Sequence, residues 1–214
     1  MMKYSENQID VLRQKVAEGL SEKRMRHTLG VEKMAAYIGE KIMPDSLSSL
    51  RAAALLHDVS KEYSEAEHFL IIKKHNIPIS DEEICEPALW HSITAPAVIK
   101  DDFSEFASED ILSSAYNHTL GSPDMSIFDE IILLSDYIEE GRQYSACVNL
   151  RESFIFELDS AKSYEDAVLA LHKAVYISLD NNIKEFISRG KAFHSRTELT
   201  RDAFLKKIEG KNNG

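Results

Sequence analysis

The sequence predicts an all-α fold. Apolar residues recur at helical spacing through nearly every segment, helix-starting serines stand before several of them, and alternating β-branched runs are nearly absent. Ile9, Leu12, Val16 and Leu20 share one helical face, and Val31, Met34, Ile38 and Ile42 share the next. The run Leu50 to Leu56 reads as a buried helix ending at His57-Asp58. Ser64 with Glu67, and Ser80 with Glu83, have the spacing in which serine and glutamate cap each other's backbone N–H groups. Ser108 and Ser126 are further N-cap candidates, and Gly121 and Gly141 sit where helix-ending glycines belong. Val168, Leu171, Val175, Leu179, Ile183 and Phe186 are in phase along one long helix from about Tyr164 to Ser188. These elements suggest one helical domain over residues 1–190. Residues 191–214 then form a tail with one short helical stretch, expected to be disordered from Lys211 onward.

The 214 residues suffice for a sizeable core. No stretch approaches the roughly 20 apolar residues that span a bilayer. The polar N-terminus lacks the apolar centre of a signal peptide. Cys85 and Cys147 stand apart in no paired spacing, which suits a reducing compartment, so a cytoplasmic location is expected. A net charge of −11 without a basic block argues against nucleic acid as a partner. It leaves room for a small anionic substrate, because a metal and a few placed cations hold phosphate locally.

His57-Asp58 is the most informative pair. A carboxylate beside an imidazole at a buried helix end is costly unless both find partners, and a divalent metal suits both. His27 continues the stripe of Val31, Met34 and Ile38, His118 that of Ile111 and Ala115, and Asp136 that of Ile132. With His91 they make six candidate ligands, and inward-facing groups from several helices can meet at one centre. Any one of these histidines alone would more simply be a satisfied core residue; together they indicate a metal centre, expected to hold two ions. His68, His75, His172 and His194 are read as solvated surface residues.

The motifs also resemble a known family. Arg24-x-x-His27-Thr28 and Leu56-His57-Asp58-x-x-Lys61 look like the opening of an HD-domain metal-dependent phosphohydrolase. Three further stretches are similar to the YqeK branch, hydrolases of diadenosine tetraphosphate with symmetrical cleavage: Pro87-x-Leu-Trp-His91, His118-Thr-x-Gly121-x-x-x-Met125 and Ser135-Asp136-Tyr-Ile-Glu-x-x-Arg142. The resemblance covers about residues 20–145. It implies an HD-domain helical bundle around a metal centre, and one ion held by His27, His57, Asp58 and Asp136. Asp58 would bridge to a second ion held by His91 and His118. Iron is the ion associated with the family; the same mixed nitrogen and oxygen donors accept manganese, cobalt or zinc.

Around such a centre, Asp58 and Lys61 are expected to be catalytic. Lys61, one turn past His57, could stabilise leaving-group charge or supply its proton. Arg24 and Arg142 could grip phosphate oxygens, and each cation has an ordinary surface charge as its alternative. Thr119 could bond phosphate or shape its turn, and Trp90 is preferred as a core residue over a base-stacking one. The expected partner is a dinucleoside polyphosphate. A 5′-nucleotidase, an alarmone hydrolase and a non-catalytic nucleotide-sensing module are the alternatives. Three departures from the family pattern, Ser92-Ile93-Thr94-Ala95-Pro96, Ser122 and Glu139-Glu140, bear on the nucleotide pocket rather than on the ligands.

Overall fold

The computed structural model describes residues 4–211. Among the described residues there are eleven α-helices, three short 3-10 turns and no strand, so the fold is all-α. In chain order the helices are α1 (Glu6–Gly19), α2 (Glu22–Ile42), α3 (Leu47–Leu56), α4 (Glu65–His75), α5 (Asp81–Ile84) and α6 (Trp90–Asp102). They continue as α7 (Glu109–Asn117), α8 (Ile127–Ile138), α9 (Ser145–Ser160), α10 (Tyr164–Ser188) and α11 (Ser195–Lys211). None of them is long and apolar enough to cross a membrane. The expected disorder after Lys211 concerns residues outside the described range.

Local chemistry sets the helix starts. Reciprocal serine–acid caps open α4 at Ser64 and Glu67, α5 at Ser80 and Glu83, and α8 at Ser126 and Asp129. Ser108 occupies the backbone position that opens α7 but its hydroxyl makes no cap bond, being buried without a partner. Gly121 takes φ +70° three residues past His118, the residue that caps α7, a conformation that L side chains rarely adopt.

α3 is the hub. Its Leu50 and the stretch Ala52 to Leu56 are fully buried, and it packs against α1, α2, α7 and α8. Small alanines let those helices approach closely, which brings the end of α3 into the middle of the molecule. α9, α10 and α11 form a second layer, with α11 laid along α10 and its Phe204 fully buried. Trp90 is a core residue: it packs with Ile72, Leu89, Ile93 and Leu120, and its indole N–H donates to the Glu83 carbonyl at 2.8 Å.

Three histidines, His68, His172 and His194, correct the surface expectation. His68 is buried because α4 turns its Ile72 face onto α6, and there it meets the Thr94 hydroxyl at 2.8 Å. His172 is buried where α10 is sandwiched between α8 and α11, with Nδ1 2.8 Å from Glu130 Oε2. His75 keeps a surface ion pair with Asp101, whereas the His194 side chain is only 10% exposed.

Candidate metal centre

All six candidate ligands meet at the end of α3. His27 comes from α2, His57 and Asp58 from the turn closing α3, and His91 from the first turn of α6. His118 ends α7, and Asp136 lies in the last turn of α8. Three of the imidazoles are aimed by one device. His57, His91 and His118 each place Nδ1 on the carbonyl three residues upstream, Ala54 at 2.6 Å, Ala88 at 2.8 Å and Ala115 at 2.8 Å. Because those carbonyls can only accept, Nδ1 carries the proton and Nε2 presents its lone pair to the centre.

His27 is oriented differently. Its Nδ1 lies 3.2 Å from Glu139 Oε1 and its Nε2 3.0 Å from Asp136 Oδ1. Asp58 stands between two groups of nitrogens. Its Oδ2 is 3.6 Å from His57 Nε2 and 3.8 Å from His27 Nε2, while Oδ1 is 3.3 Å from His91 Nε2 and 3.4 Å from His118 Nε2.

These residues fit a divalent cation. His57 Nε2 and Asp58 Oδ1 are buried without a hydrogen-bond partner, and His91 Nε2 lies 3.2 Å from His118 Nε2, lone pair toward lone pair. A cation relieves both conflicts. Ligand atoms of His27, His57 and Asp136 all lie within 4.8 Å of one another, as do those of His57, Asp58 and His118. His91 is outside both triads and adjoins the second through His118.

Protonation states agree for His57, His91 and the two aspartates, whereas His27 would have to give up its proton to bind an ion. Complete burial pushes His57 down to about 4 against the pull of Asp58. Burial, with Lys61 beside it, holds His91 well below its ordinary value. Burial would raise Asp58 and Asp136, yet each stays well below the usual carboxylate range, Asp58 because of His57, His118 and Lys61, Asp136 because of His27 and Arg142. Burial also works against a charged His27, but Asp136 and Glu139 outweigh it and push the imidazole up to about 9. The neutral imidazoles of His57 and His91 and the ionised carboxylates of Asp58 and Asp136 are the donors that a divalent ion takes.

Cations ring the centre. Arg24 Nη1 is 2.8 Å from Asp58 Oδ2, Arg142 Nη2 is 2.7 Å from Asp136 Oδ1, and Lys61 Nζ is 3.0 Å from His91 Nε2. Thr119 Oγ1 touches the Nε2 atoms of His91 and His118 at 3.2 and 3.1 Å. Two openings reach the centre. One is a cavity of about 330 Å³ bordered by His118, Asp136, Arg142 and Arg189. The other is a wider groove of about 880 Å³ bordered by Arg24, Arg26, His27, Lys33 and Tyr144.

The chain is similar to known proteins over the segments that carry these residues. A family model described as HD domain matches residues 24–141, which include all six candidate ligands. Bis(5'-nucleosyl)-tetraphosphatase, symmetrical, of Bacillus subtilis (strain 168) is 30% identical over 148 residues, 68% of this chain and 77% of that protein. The chain belongs to the HD-domain family, in its YqeK branch. A protein of the same name from Staphylococcus aureus (strain NCTC 8325 / PS 47) is 26% identical over 135 residues, covering 63% of this chain and 68% of its own. The crystal structure of a predicted HD superfamily hydrolase involved in NAD metabolism from Clostridium acetobutylicum superposes with a TM-score of 0.79 at 28% identity. It covers 95% of this chain and 98% of that one.

The HD centre contains one functional residue that sequence reasoning passed over. In the sequence Glu139 is a position of the Ser135 to Arg142 motif and half of an altered pair, with no role assigned, yet its carboxylate is 4% exposed and braces His27. Its spacing of three from Asp136, one helical turn, was the available signal. Gly30 and Gly141 make room for it, since a Cβ at either position would collide with the Glu139 carboxylate. The altered stretch Ser92 to Pro96 follows His91 directly, and its Thr94 hydroxyl lies 3.2 Å from that of Ser60, which donates to the His91 carbonyl. Thr94 bonds His68 on α4, and Ile93 and Pro96 border a separate cavity by Asn76 and Tyr116.

Proposed function

We propose that the chain is a two-metal phosphohydrolase that cleaves diadenosine tetraphosphate symmetrically to two ADP. The observation that carries this is the placement of Asp58, whose two oxygens face different pairs of histidines. In this reading His27, His57, Asp58 and Asp136 would hold one ion, and Asp58, His91 and His118 would hold the other. Iron is the proposed metal. The names of the relatives supply the substrate class. When bound, such an ion pair provides a nucleophilic water at neutral pH and polarises the phosphoryl oxygens.

The chain's own groups do the rest. The carbonyls of Ala54, Ala88 and Ala115 fix three imidazoles with Nε2 inward, so no reorientation accompanies the reaction. Lys61, beside His91 and Asp58, is the cation closest to charge gathering on the departing phosphate. Arg24 and Arg142, held by ligand carboxylates, stand at the mouth of the wider groove, where they orient the polyphosphate by charge-assisted hydrogen bonds. Thr119 closes the opposite side.

Product analysis tests the reading. Protein purified anaerobically under reducing conditions should carry metal and convert diadenosine tetraphosphate to ADP alone. ATP and AMP in equal amounts would refute symmetrical cleavage. Turnover of mononucleotides with none of any dinucleotide would favour a nucleotidase, and a metal-free, inactive protein would favour a sensing module.

A further inference from the structure

One half of the centre depends on a helix start that its own sequence secures poorly. His91 stands in the first turn of α6, and among the described residues no side chain caps that start. Pro96 lies inside the same helix and has no N–H to offer the Ser92 carbonyl one turn back. The Ala88 carbonyl aims the His91 ring but leaves the turn that carries it free to shift. The separation of the His91 and Asp58 backbones therefore has to be set from outside α6.

Three buried polar side chains meet that need. Ser60, two residues past Asp58, donates its hydroxyl proton to the His91 carbonyl at 2.9 Å. The Thr94 hydroxyl lies 3.2 Å from Ser60 Oγ and donates to the Trp90 carbonyl at 2.8 Å. Its one proton is then placed, so Thr94 accepts from His68, whose Nδ1 is 2.8 Å away. Burial pulls His68 below its ordinary value against the charge of Glu67, which favours the neutral ring. Ser60 and Thr94 are fully buried and His68 is 4% exposed, so water cannot replace these bonds. A displaced His91 carbonyl would leave the Ser60 hydroxyl unsatisfied in the interior, which resists the displacement. The turn carrying Asp58, the first turn of α6 and helix α4 are joined at this one group.

We propose that Ser60, Thr94 and His68 are positioning residues that hold the His91 backbone where His91 and Asp58 can share an ion, an inference that rests on reading the centre as a two-ion site. Their effect falls on one half of it. His27, His57 and Asp136 are placed by α2, α3 and α8, and none of those helices carries a member of the group.

Metal retention separates this role from a general contribution to packing. Each variant is loaded with manganese(II), and the release of each ion to a chelator is followed beside the Tm of the metal-free protein. The ion that His91→Ala removes identifies the half in question. Ser60→Ala should weaken retention of that ion about tenfold and leave the other unchanged, the lower end of the range for groups that orient ligands. Thr94→Val keeps the shape and removes the hydroxyl, so the same ion should be lost more readily. Thr94→Ser keeps the hydroxyl and should restore wild-type retention. Combining Ser60→Ala with Thr94→Val should add little to Ser60→Ala alone, since both act through one turn. If Ser60→Ala does not fold, the two Thr94 variants read the same outcome.

Equal weakening of both ions, or a Thr94→Ser variant as impaired as Thr94→Val, would reduce the group to packing and overturn the proposal. Two ions in the wild type with unchanged release from Ser60→Ala and Thr94→Val would defeat this inference alone. A single ion per chain in the wild type would defeat the two-ion reading, and the positioning role with it.

Discussion

The two sides of Asp58 are built differently. On the side of His27 the environment is anionic: Asp136 and Glu139 both contact the imidazole, which is pushed up to about 9. On the side of His91 and His118 no second carboxylate is in contact among the described residues; backbone carbonyls orient both rings, and Lys61 and Thr119 lie against them. A carboxylate behind an imidazole makes it a stronger donor, whereas a carbonyl fixes direction with less effect on basicity. The His27 side is thus suited to hold its ion tightly. Under the two-ion proposal the other side would hold its ion more weakly and leave cationic and hydroxyl groups free for substrate. Asp58 ties these unequal halves together.

The largest expected effect comes from removing that tie. Asp58→Ala should strip both ions and lower kcat/KM by more than about a thousandfold, since charge stabilisation and the nucleophile are lost together. His91→Ala should leave one ion per chain, the one on the His27 side, with activity also falling severely. Metal analysis beside kinetics reads both. Retention of two ions by Asp58→Ala, or loss of both by His91→Ala, would break the division into halves.

Lys61→Ala comes next. Its amine contacts His91 and feels Asp58, and burial pulls it below an ordinary lysine despite the nearby carboxylates. Removing it should cut kcat by about a hundredfold with metal content intact, because its interaction strengthens as leaving-group charge develops. Arg142→Ala should instead raise KM by about tenfold, the scale of one charge-assisted hydrogen bond. Metal lost from the Lys61 variant would recast Lys61 as a support for His91.

Much of this was legible in the chain because helical periodicity reports direction. His27, His118 and Asp136 lie in phase with buried residues, so their inward orientation followed from spacing alone. Periodicity failed where burial came from a neighbour rather than from the helix's own stripe. His172 is buried because α11 covers α10, and His68 because a charged helix, α4, still turns one face onto α6. Nothing local to either histidine announces the covering element. Glu139 was visible but misweighed: past the last turn of α8 its backbone leaves the helix, and only the folded chain shows its carboxylate turning back to His27.

Glu139 also offers a finer test of the asymmetry. Glu139→Gln keeps an oxygen near His27 Nδ1 and removes the charge, so metal affinity on that side should fall between about 10 and 100-fold while the other ion is held as before. Competition with a chelator measures each ion's release. An unchanged affinity would mean that Asp136 alone sets the strength of His27.

The smallest effect is expected at Gly30, which separates positioning from stability. Gly30 lies inside α2, where alanine should favour the helix by up to about 1 kcal/mol. The added Cβ would collide with Glu139 Oε2, the oxygen that accepts the Gly141 N–H. A glutamate side chain can swing aside, but doing so breaks that bond and pulls Oε1 from His27. The helix gain and the lost hydrogen bonds are of similar size, so Tm should move by only a few degrees. Metal affinity on the His27 side should nevertheless drop several-fold, in the direction of Glu139→Gln and by less. Combining the two substitutions should add little to Glu139→Gln alone, because both act through one carboxylate. Fully additive losses would show that Gly30 acts on the centre by a different route.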